Sequence, residues 1–156
     1  GEQVRVDGIG AHKSNVRFEL LDILFGKRAV HIRRACPQKS TQKKIAVISS
    51  KAGSFAEGPK MSMMYEYRAS KAALNMIVYT LSYETAKKGV IIAAISPGSV
   101  DTKAVEGELG YGTNLKQPGA ISPGDSVAGI IKVIDSLTPA QNGQFLDYKD
   151  GRIIPW

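Results

Sequence analysis

Two continuous apolar runs, residues 45–48 and 90–95, flank a long helical pattern in the second part of the chain. Runs of this length are typical of strands that are buried on both faces of a parallel sheet. The first run ends at a double serine, residues 49–50, and the second ends at the Ser-Pro-Gly of residues 96–98. Strand, helix and strand in this order predict a right-handed βαβ crossover, with ligand chemistry at the carboxyl ends of the strands.

The helical pattern starts near Met64 and predicts a mostly buried helix. Its apolar residues repeat at three and four residues, and a second stripe holds Leu74 and Val78. Two lysines, residues 87–88, complement the negative end of the helix dipole, and Gly89 supplies a left-handed residue that ends the helix. The first stripe consists of Ala69, Ala72, Ala73, Met76, Ile77 and Leu81.

A second helix and a short last strand complete the predicted elements. Ser122 is the expected N-cap of the helix, with Pro123 at the first helical position and Asp125 three residues after the cap. Residues 144–148 predict a strand, followed by a turn at residues 150–151. The alternation of strands and helices predicts an α/β protein with a parallel sheet. The apolar residues of the second helix are Val127, Ile130, Ile131 and Ile134.

Composition indicates a globular domain without membrane spans or metal sites. The chain is 43% hydrophobic and 22% charged, and no run reaches the roughly 18 apolar residues of a membrane helix. Residues 1–30 lack the order of a signal peptide, so we expect a cytoplasmic protein. The single cysteine, Cys36, has no partner for a disulfide, and we interpret it as an incidental thiol. We interpret His12 and His31 as surface residues, because no third ligand lies near them in the sequence.

The positive net charge lies almost wholly in the N-terminal part. Residues 1–44 contain ten Lys or Arg against four Asp or Glu, whereas the remainder contains eleven against ten. No aromatic residue lies between Phe25 and Lys44, which favours a solvated surface over a nucleic-acid site. We therefore predict two parts, an atypical basic segment over residues 1–43 and a second part over 44–156. A shifted or fragmentary reading frame is one hypothesis for the first part.

Candidate chemistry starts with Tyr67 and Lys71, which a spacing of four residues places on one helix face. An ammonium beside a phenol favours the phenolate, which lowers a tyrosine pKa from about 10 towards a range useful for proton transfer. Such a tyrosine can protonate a carbonyl oxygen, and Ser50 can stabilise the charge on the same oxygen. The alternative is structural, with Tyr65 and Tyr67 packed in the core and Lys71 extended along its surface.

Three segments, residues 48–54, 67–75 and 96–102, resemble the serine, YxxxK and PG motifs of the short-chain dehydrogenase/reductase family. The resemblance extends over residues 44–156, and residues 64–71 and 147–156 are most similar to carbonyl reductases of the Sniffer and C-factor type. It implies a Rossmann-like doubly wound parallel sheet. It also implies that this chain has the catalytic half, without the first βαβ cofactor-binding unit.

The resemblance also implies roles for the motif residues. Ser50 would polarise the carbonyl, Tyr67 would be the general acid/base, and Lys71 would lower its pKa and hold the nicotinamide ribose. Ser49 and Ser54 are rivals to Ser50, which we prefer as the second residue of the double serine. The implied cofactor is NADP or NAD, with NADP favoured by the subgroup. The residues implied to line the nicotinamide are Pro97, Gly98, Val100 and Thr102.

The implied enzyme reduces a small or hydrophobic carbonyl compound and forms a homodimer through the Tyr67 helix and the helix before it. The substrate loop is expected over residues 105–117. A second hypothesis is a catalytically silent fragment or interaction module, because the glycine pair at residues 8–10 lacks the features of a dinucleotide fingerprint. Asp7 stands where the family has its proton-relay asparagine. Without the phosphate-cradling turn, most cofactor affinity should be lost.

Overall fold

The computed structural model describes residues 41–62, 64–101 and 119–156. The predicted segment 1–43 therefore lies outside the described residues except for its last three, and its division from residues 44–156 stays a prediction. The substrate loop over 105–117 also lies outside them. Five residues named in the sequence analysis also lie outside the described residues: Asp7, His12, His31, Cys36 and Thr102.

The described elements follow the predicted order. Short 3-10 turns at Lys51–Gly53 and Pro139–Gln141 follow the first strand and the second helix. The strands and helices are β1 (Lys44–Ile48), α1 (Tyr65–Ala86), β2 (Ile91–Ser96), β3 (Ser99–Val100), β4 (Ala120–Ile121), α2 (Pro123–Ser136) and β5 (Phe145–Asp147).

The main sheet is parallel, with β2 between β1 and β5. Its register pairs Ile48 with Ile95 and Ile95 with Leu146. Strands β3 and β4 form a small parallel pair of their own. The predicted parallel α/β sheet is confirmed, and parallel pairing brings the carboxyl ends of β1, β2 and β5 to one edge.

The pleat of β2 explains why helices cover both faces of the sheet. Ile92 and Ala94 point into one buried cluster with Leu74 and Val78 of α1. Ala93 and Ile95 point into a second cluster, together with Ile130, Val133 and Ile134 of α2. Successive side chains of a strand alternate between its faces, so a strand buried on both sides must be apolar throughout. The Rossmann-like, doubly wound arrangement is confirmed for the described residues.

The predicted helix ends are confirmed. Ser122 Oγ accepts a hydrogen bond from Asp125 N at the start of α2. Gly89 has a φ of 64° just after α1, in the left-handed region that suits glycine. Among the described residues, no helix is both long enough and apolar enough to cross a membrane.

Two burial predictions, those for α1 and β1, are wrong. α1 is not mostly buried: its core face carries Leu74 and Val78 with two polar residues, whereas Met76 of the alanine-rich stripe is 63% exposed. In α2, Val127 and Ile131 are exposed and Val133 is buried instead. β1 is half-buried except at Val47. Each helix packs on the sheet through one face, and apolar residues on its other faces remain in contact with solvent. In the described part of the sheet, β1 is an outer strand with a neighbour, β2, on one side.

Candidate active site

The two predicted motif loops lie side by side at the carboxyl edge of the sheet. The double serine follows β1, and the Pro-Gly turn follows β2, which is the neighbouring parallel strand. Ser49 N donates to Ile95 O at 2.8 Å, so the pairing continues one residue past the end of β1. This bond fixes where the chain leaves the sheet and where Ser50 begins the next turn.

The three serines near β1 have different environments. Ser49 is buried and donates its hydroxyl to Asn75 Oδ1 of α1. Ser54 is also buried, and its Oγ donates to Pro155 O at 2.6 Å and accepts from Glu57 N at 2.9 Å. Ser50 is half-buried, and its Oγ accepts from Ala52 N at 3.2 Å. The rival hydroxyls are thus held by protein oxygens in the interior, which favours Ser50 as the hydroxyl that acts on a ligand.

Tyr67 and Lys71 occupy the first turns of α1, one above the other. Lys71 Nζ lies 5.7 Å from the centroid of the Tyr67 ring and 3.5 Å from Ile48 O at the end of β1. Both side chains are half-buried. The ammonium therefore lies between the phenol and the strand that leads into Ser50. The structural alternative for Tyr65 is wrong, because that side chain is 68% exposed.

Gly53 lets the serine turn approach α1 closely, a role that the sequence analysis missed. A Cβ atom at this position would lie 2.7 Å from the backbone carbon of Lys71 and 2.8 Å from Ala72 N. Side chains do not tolerate distances this short to backbone atoms, so only glycine fits here. A glycine three residues after the second serine was a usable signal, but the sequence marks it only as a loop residue.

The Pro-Gly turn is held by contacts with Ser126 and Tyr148, whose roles are not evident from the sequence. Gly98 has a φ of 83°, and a Cβ there would lie 2.6 Å from the Tyr148 ring. Ser126 Oγ of α2 donates to Pro97 O at 2.7 Å. Tyr148 N donates to Ser96 O at 3.1 Å. The turn is therefore fixed by β5 and α2, while Val100 beyond it belongs to β3.

Four charged residues surround the serine turn. Lys51 Nζ lies 2.6 Å from Asp147 Oδ2. Arg152 binds Glu57 through two hydrogen bonds of 2.7 and 2.6 Å and lies 3.9 Å from Asp147 Oδ2. Burial acts to raise the pKa of Asp147, but hydrogen bonds from Lys51 and the Lys149 amide, with the two nearby cations, hold that pKa below its ordinary value. The hydrogen bond from Arg152 lowers the pKa of Glu57.

These residues fit the nicotinamide end of a dinucleotide. Lys71 Nζ lies near both the Tyr67 ring and Ile48 O, and Ser50 follows two residues after Ile48, at the sheet edge where open α/β folds bind ligands. Hydroxyl, phenol and ammonium groups can form hydrogen bonds with ribose hydroxyls and with a carbonyl oxygen. Among residues 41–62, 64–101 and 119–156, no group of three metal-ligating side chains is present.

Comparison with known proteins shows the family of this chain. The sequence profile of the short chain dehydrogenase family matches residues 29–109, just over half of the chain. The chain belongs to the short chain dehydrogenase family. The match includes both the serine motif and the Tyr67 helix, and it begins within the segment that we predicted to be atypical.

Relatives within the family support the predicted subgroup. The chain is 36% identical to the C-signal protein of Myxococcus xanthus, over 73% of this chain and 61% of the relative. Its structure is similar to that of the carbonyl reductase Sniffer of D. melanogaster, with a TM-score of 0.60 and 30% identity, over 72% of this chain and 41% of that one.

A NADPH-bound carbonyl reductase from chicken fatty liver gives a TM-score of 0.59 at 30% identity, over 72% of this chain and 42% of that one. The predicted family resemblance is thus confirmed. The chain spans about half the length of the curated relatives that it matches.

Proposed function

We propose that this chain carries the proton-transfer residues of an NAD(P)-dependent oxidoreductase that reduces a carbonyl compound. The observation that carries the proposal is the position of Lys71 Nζ, 5.7 Å from the Tyr67 ring centroid and 3.5 Å from the end of β1. A cation in this place stabilises the phenolate that remains when Tyr67 gives up its proton.

When bound, the nicotinamide cofactor would supply the hydride that adds to the carbonyl carbon. Tyr67 donates its phenolic proton to the carbonyl oxygen, and Lys71 stabilises the resulting phenolate. Ser50 donates a hydrogen bond to the same oxygen as negative charge develops on it. In the reverse direction, the phenolate of Tyr67 removes the proton of an alcohol.

The family to which the chain belongs suggests the cofactor contacts. Lys71 can hold the nicotinamide ribose, and we propose that Pro97, Gly98 and Val100 line the nicotinamide, with Thr102 after them. The NADPH in the chicken carbonyl reductase supports NADPH as the first cofactor to test. A small-molecule carbonyl or alcohol is the proposed substrate. We also propose a homodimer through the outward face of α1, where Met76 and Tyr83 are exposed.

The test is titration of the chain with NADPH and NADH by calorimetry, together with a carbonyl-reduction assay. We expect Tyr67→Phe to lower turnover by about 10²–10⁴-fold, because a general acid contributes on that order. Tyr65→Phe is the matched control, since it removes the same hydroxyl from an exposed tyrosine two residues away. Its turnover should equal that of the parent chain.

Two results would overturn the proposal. Equal turnover in Tyr67→Phe and the parent would remove Tyr67 from proton transfer. Absence of both cofactor binding and turnover in a chain that circular dichroism shows to be folded would instead support the catalytically silent interaction module.

A further inference from the structure

Asp147 joins parts of the candidate site that come from different strands. It is the last residue of β5, which pairs with β2 and not with β1. Its carboxylate nevertheless reaches across to Lys51, with Nζ and Oδ2 2.6 Å apart. Lys51 directly follows Ser50 and is the first residue of the 3-10 turn. The ion pair thus connects the carboxyl ends of β1 and β5 over the end of the central strand.

The carboxylate is itself held firmly. Its side chain is only 8% exposed. Oδ1 accepts from Lys149 N at 3.1 Å, and the backbone of Asp147 exchanges hydrogen bonds with Arg152 O and Gly151 N. A buried carboxylate is costly unless it is paired, so Asp147 favours conformations that keep Lys51 near it. Asp147 is therefore the anchored partner of the ion pair.

The serine turn has limited support from its own backbone. It is closed by Gly53 N donating to Ser50 O and by Ser54 N donating to Lys51 O, each at 2.9 Å. A turn this short has few internal hydrogen bonds, and its orientation depends on contacts from outside. These contacts include the packing of Gly53 on α1 and the hydrogen bonds from Arg68 Nε to Ala52 O and from Ser54 Oγ to Pro155 O. The ion pair of Lys51 is the contact that ties the turn to β5.

The residue after β5 extends this connection to the Pro-Gly turn. Tyr148 N donates to Ser96 O, and its ring lies against Gly98. The same strand end therefore contacts the loop after β1 and the loop after β2. β5 carries none of the proposed proton-transfer residues. The end of this strand nevertheless contacts both the serine turn after β1 and the Pro-Gly turn after β2.

We propose that Asp147 is a positioning residue for Ser50, acting through its ion pair with Lys51. This proposal rests on the proposed function, because it assigns Ser50 the task of polarising the carbonyl. Lys51 holds the 3-10 turn against β5, so that the Ser50 hydroxyl keeps its place relative to Tyr67 and Lys71. Loss of the pair frees the turn without removing any group that touches substrate.

Amide hydrogen exchange tests the proposal without any ligand. In Asp147→Asn the exchange of the Gly53 and Ser54 amides should rise about tenfold, because the turn opens more often once its tether is gone. The β2 amides should rise less, since the sheet does not depend on the pair. Asp150→Asn is the matched control: it makes the same change in the same C-terminal turn, where Oδ1 accepts from Arg152 N.

Kinetics separates positioning from general stability. We expect Asp147→Asn to lower kcat about tenfold while KM for the cofactor changes by less than about threefold, since the lost effect is on the carbonyl. Lys51→Met should have the same effect, and the double variant should be no slower than either single one. Lys51 is 40% exposed, so this variant serves if Asp147→Asn does not fold.

The outcomes are distinguishable. Unchanged exchange at Gly53 and Ser54, or an equal rise at every amide, would overturn the positioning role. A parent chain without turnover would count against the proposed function, and exchange would still decide whether the ion pair holds the turn. Additive losses in the double variant would mean that the two residues act separately, which also contradicts the proposal.

Discussion

At the residue scale, Gly53 occupies a position where the neighbouring backbone of α1 leaves no space for a Cβ atom. We expect Gly53→Ala to push the serine turn away from α1, because the added methyl would meet backbone atoms that cannot rotate away. Turnover should fall at least about tenfold, and the free energy of unfolding should drop by about 1–3 kcal/mol, as for an overpacked site. Both are measured on the purified variant, by the reduction assay and by urea unfolding.

Gly124→Ala is the control for this substitution. Its Cβ would have Ser122 Oγ as its nearest neighbour, at 3.7 Å, which is an ordinary contact. A loss of turnover in Gly124→Ala as large as that in Gly53→Ala would mean that the close approach of the turn to α1 is not the cause.

At the same scale, the sequence indicates the candidate reactive residues but not the residues that support them. Tyr67, Lys71 and the double serine are found from spacing, because one helix face and one strand end suffice to bring them together. Asp147 is not found in this way. A charged residue at the end of a buried strand signals a partner, but the partner is distant in sequence and only the tertiary fold identifies it.

At the scale of the element, α1 packs through one stripe, although its sequence offers two. Leu74 is 2% exposed and belongs to the cluster against the sheet, whereas Met76 is 63% exposed. We expect Leu74→Ala to cost about 2–5 kcal/mol of unfolding free energy, because it leaves a cavity. Met76→Ala should cost less than about 0.5 kcal/mol. Urea unfolding of both variants checks this, and similar losses would contradict the assigned core face.

The two stripes also explain what the sequence predicts well and what it does not. A strand such as β2 is apolar at every position, so its burial on both faces follows directly from composition. The ends of α2 and α1 follow from Ser122 and Gly89, whose local chemistry is unambiguous. A helix with two apolar stripes is different, because the choice between them depends on which surface the neighbouring sheet presents.

For the molecule as a whole, acid should weaken the folded state through Asp147. Lys51 and Arg152 face its carboxylate, and Arg152 also binds Glu57. The pKa of Asp147 is lowered in the folded state, so its charged form favours folding. This contribution is complete above the ordinary aspartate pKa of about 4 and is lost as pH falls through the lower folded value.

We therefore expect Asp147→Asn to lose less stability than the parent chain when pH is lowered from about 6 to about 3, since it has no carboxylate to protonate. The measurement is urea unfolding at the two pH values. An acid-induced loss that is equal in both chains would mean that other carboxylates account for the whole effect.

The ion pair between Lys51 and Asp147 also has a consequence for folding kinetics. It closes a loop of about a hundred residues. Closing so long a loop costs more chain entropy than forming a local contact does. The central strand must already be paired on both sides before the two charges can meet. The serine turn should therefore reach its final orientation late in folding, after the sheet has formed. Until then, Tyr67 and Lys71 can share a formed helix while the Ser50 hydroxyl still lacks a fixed position.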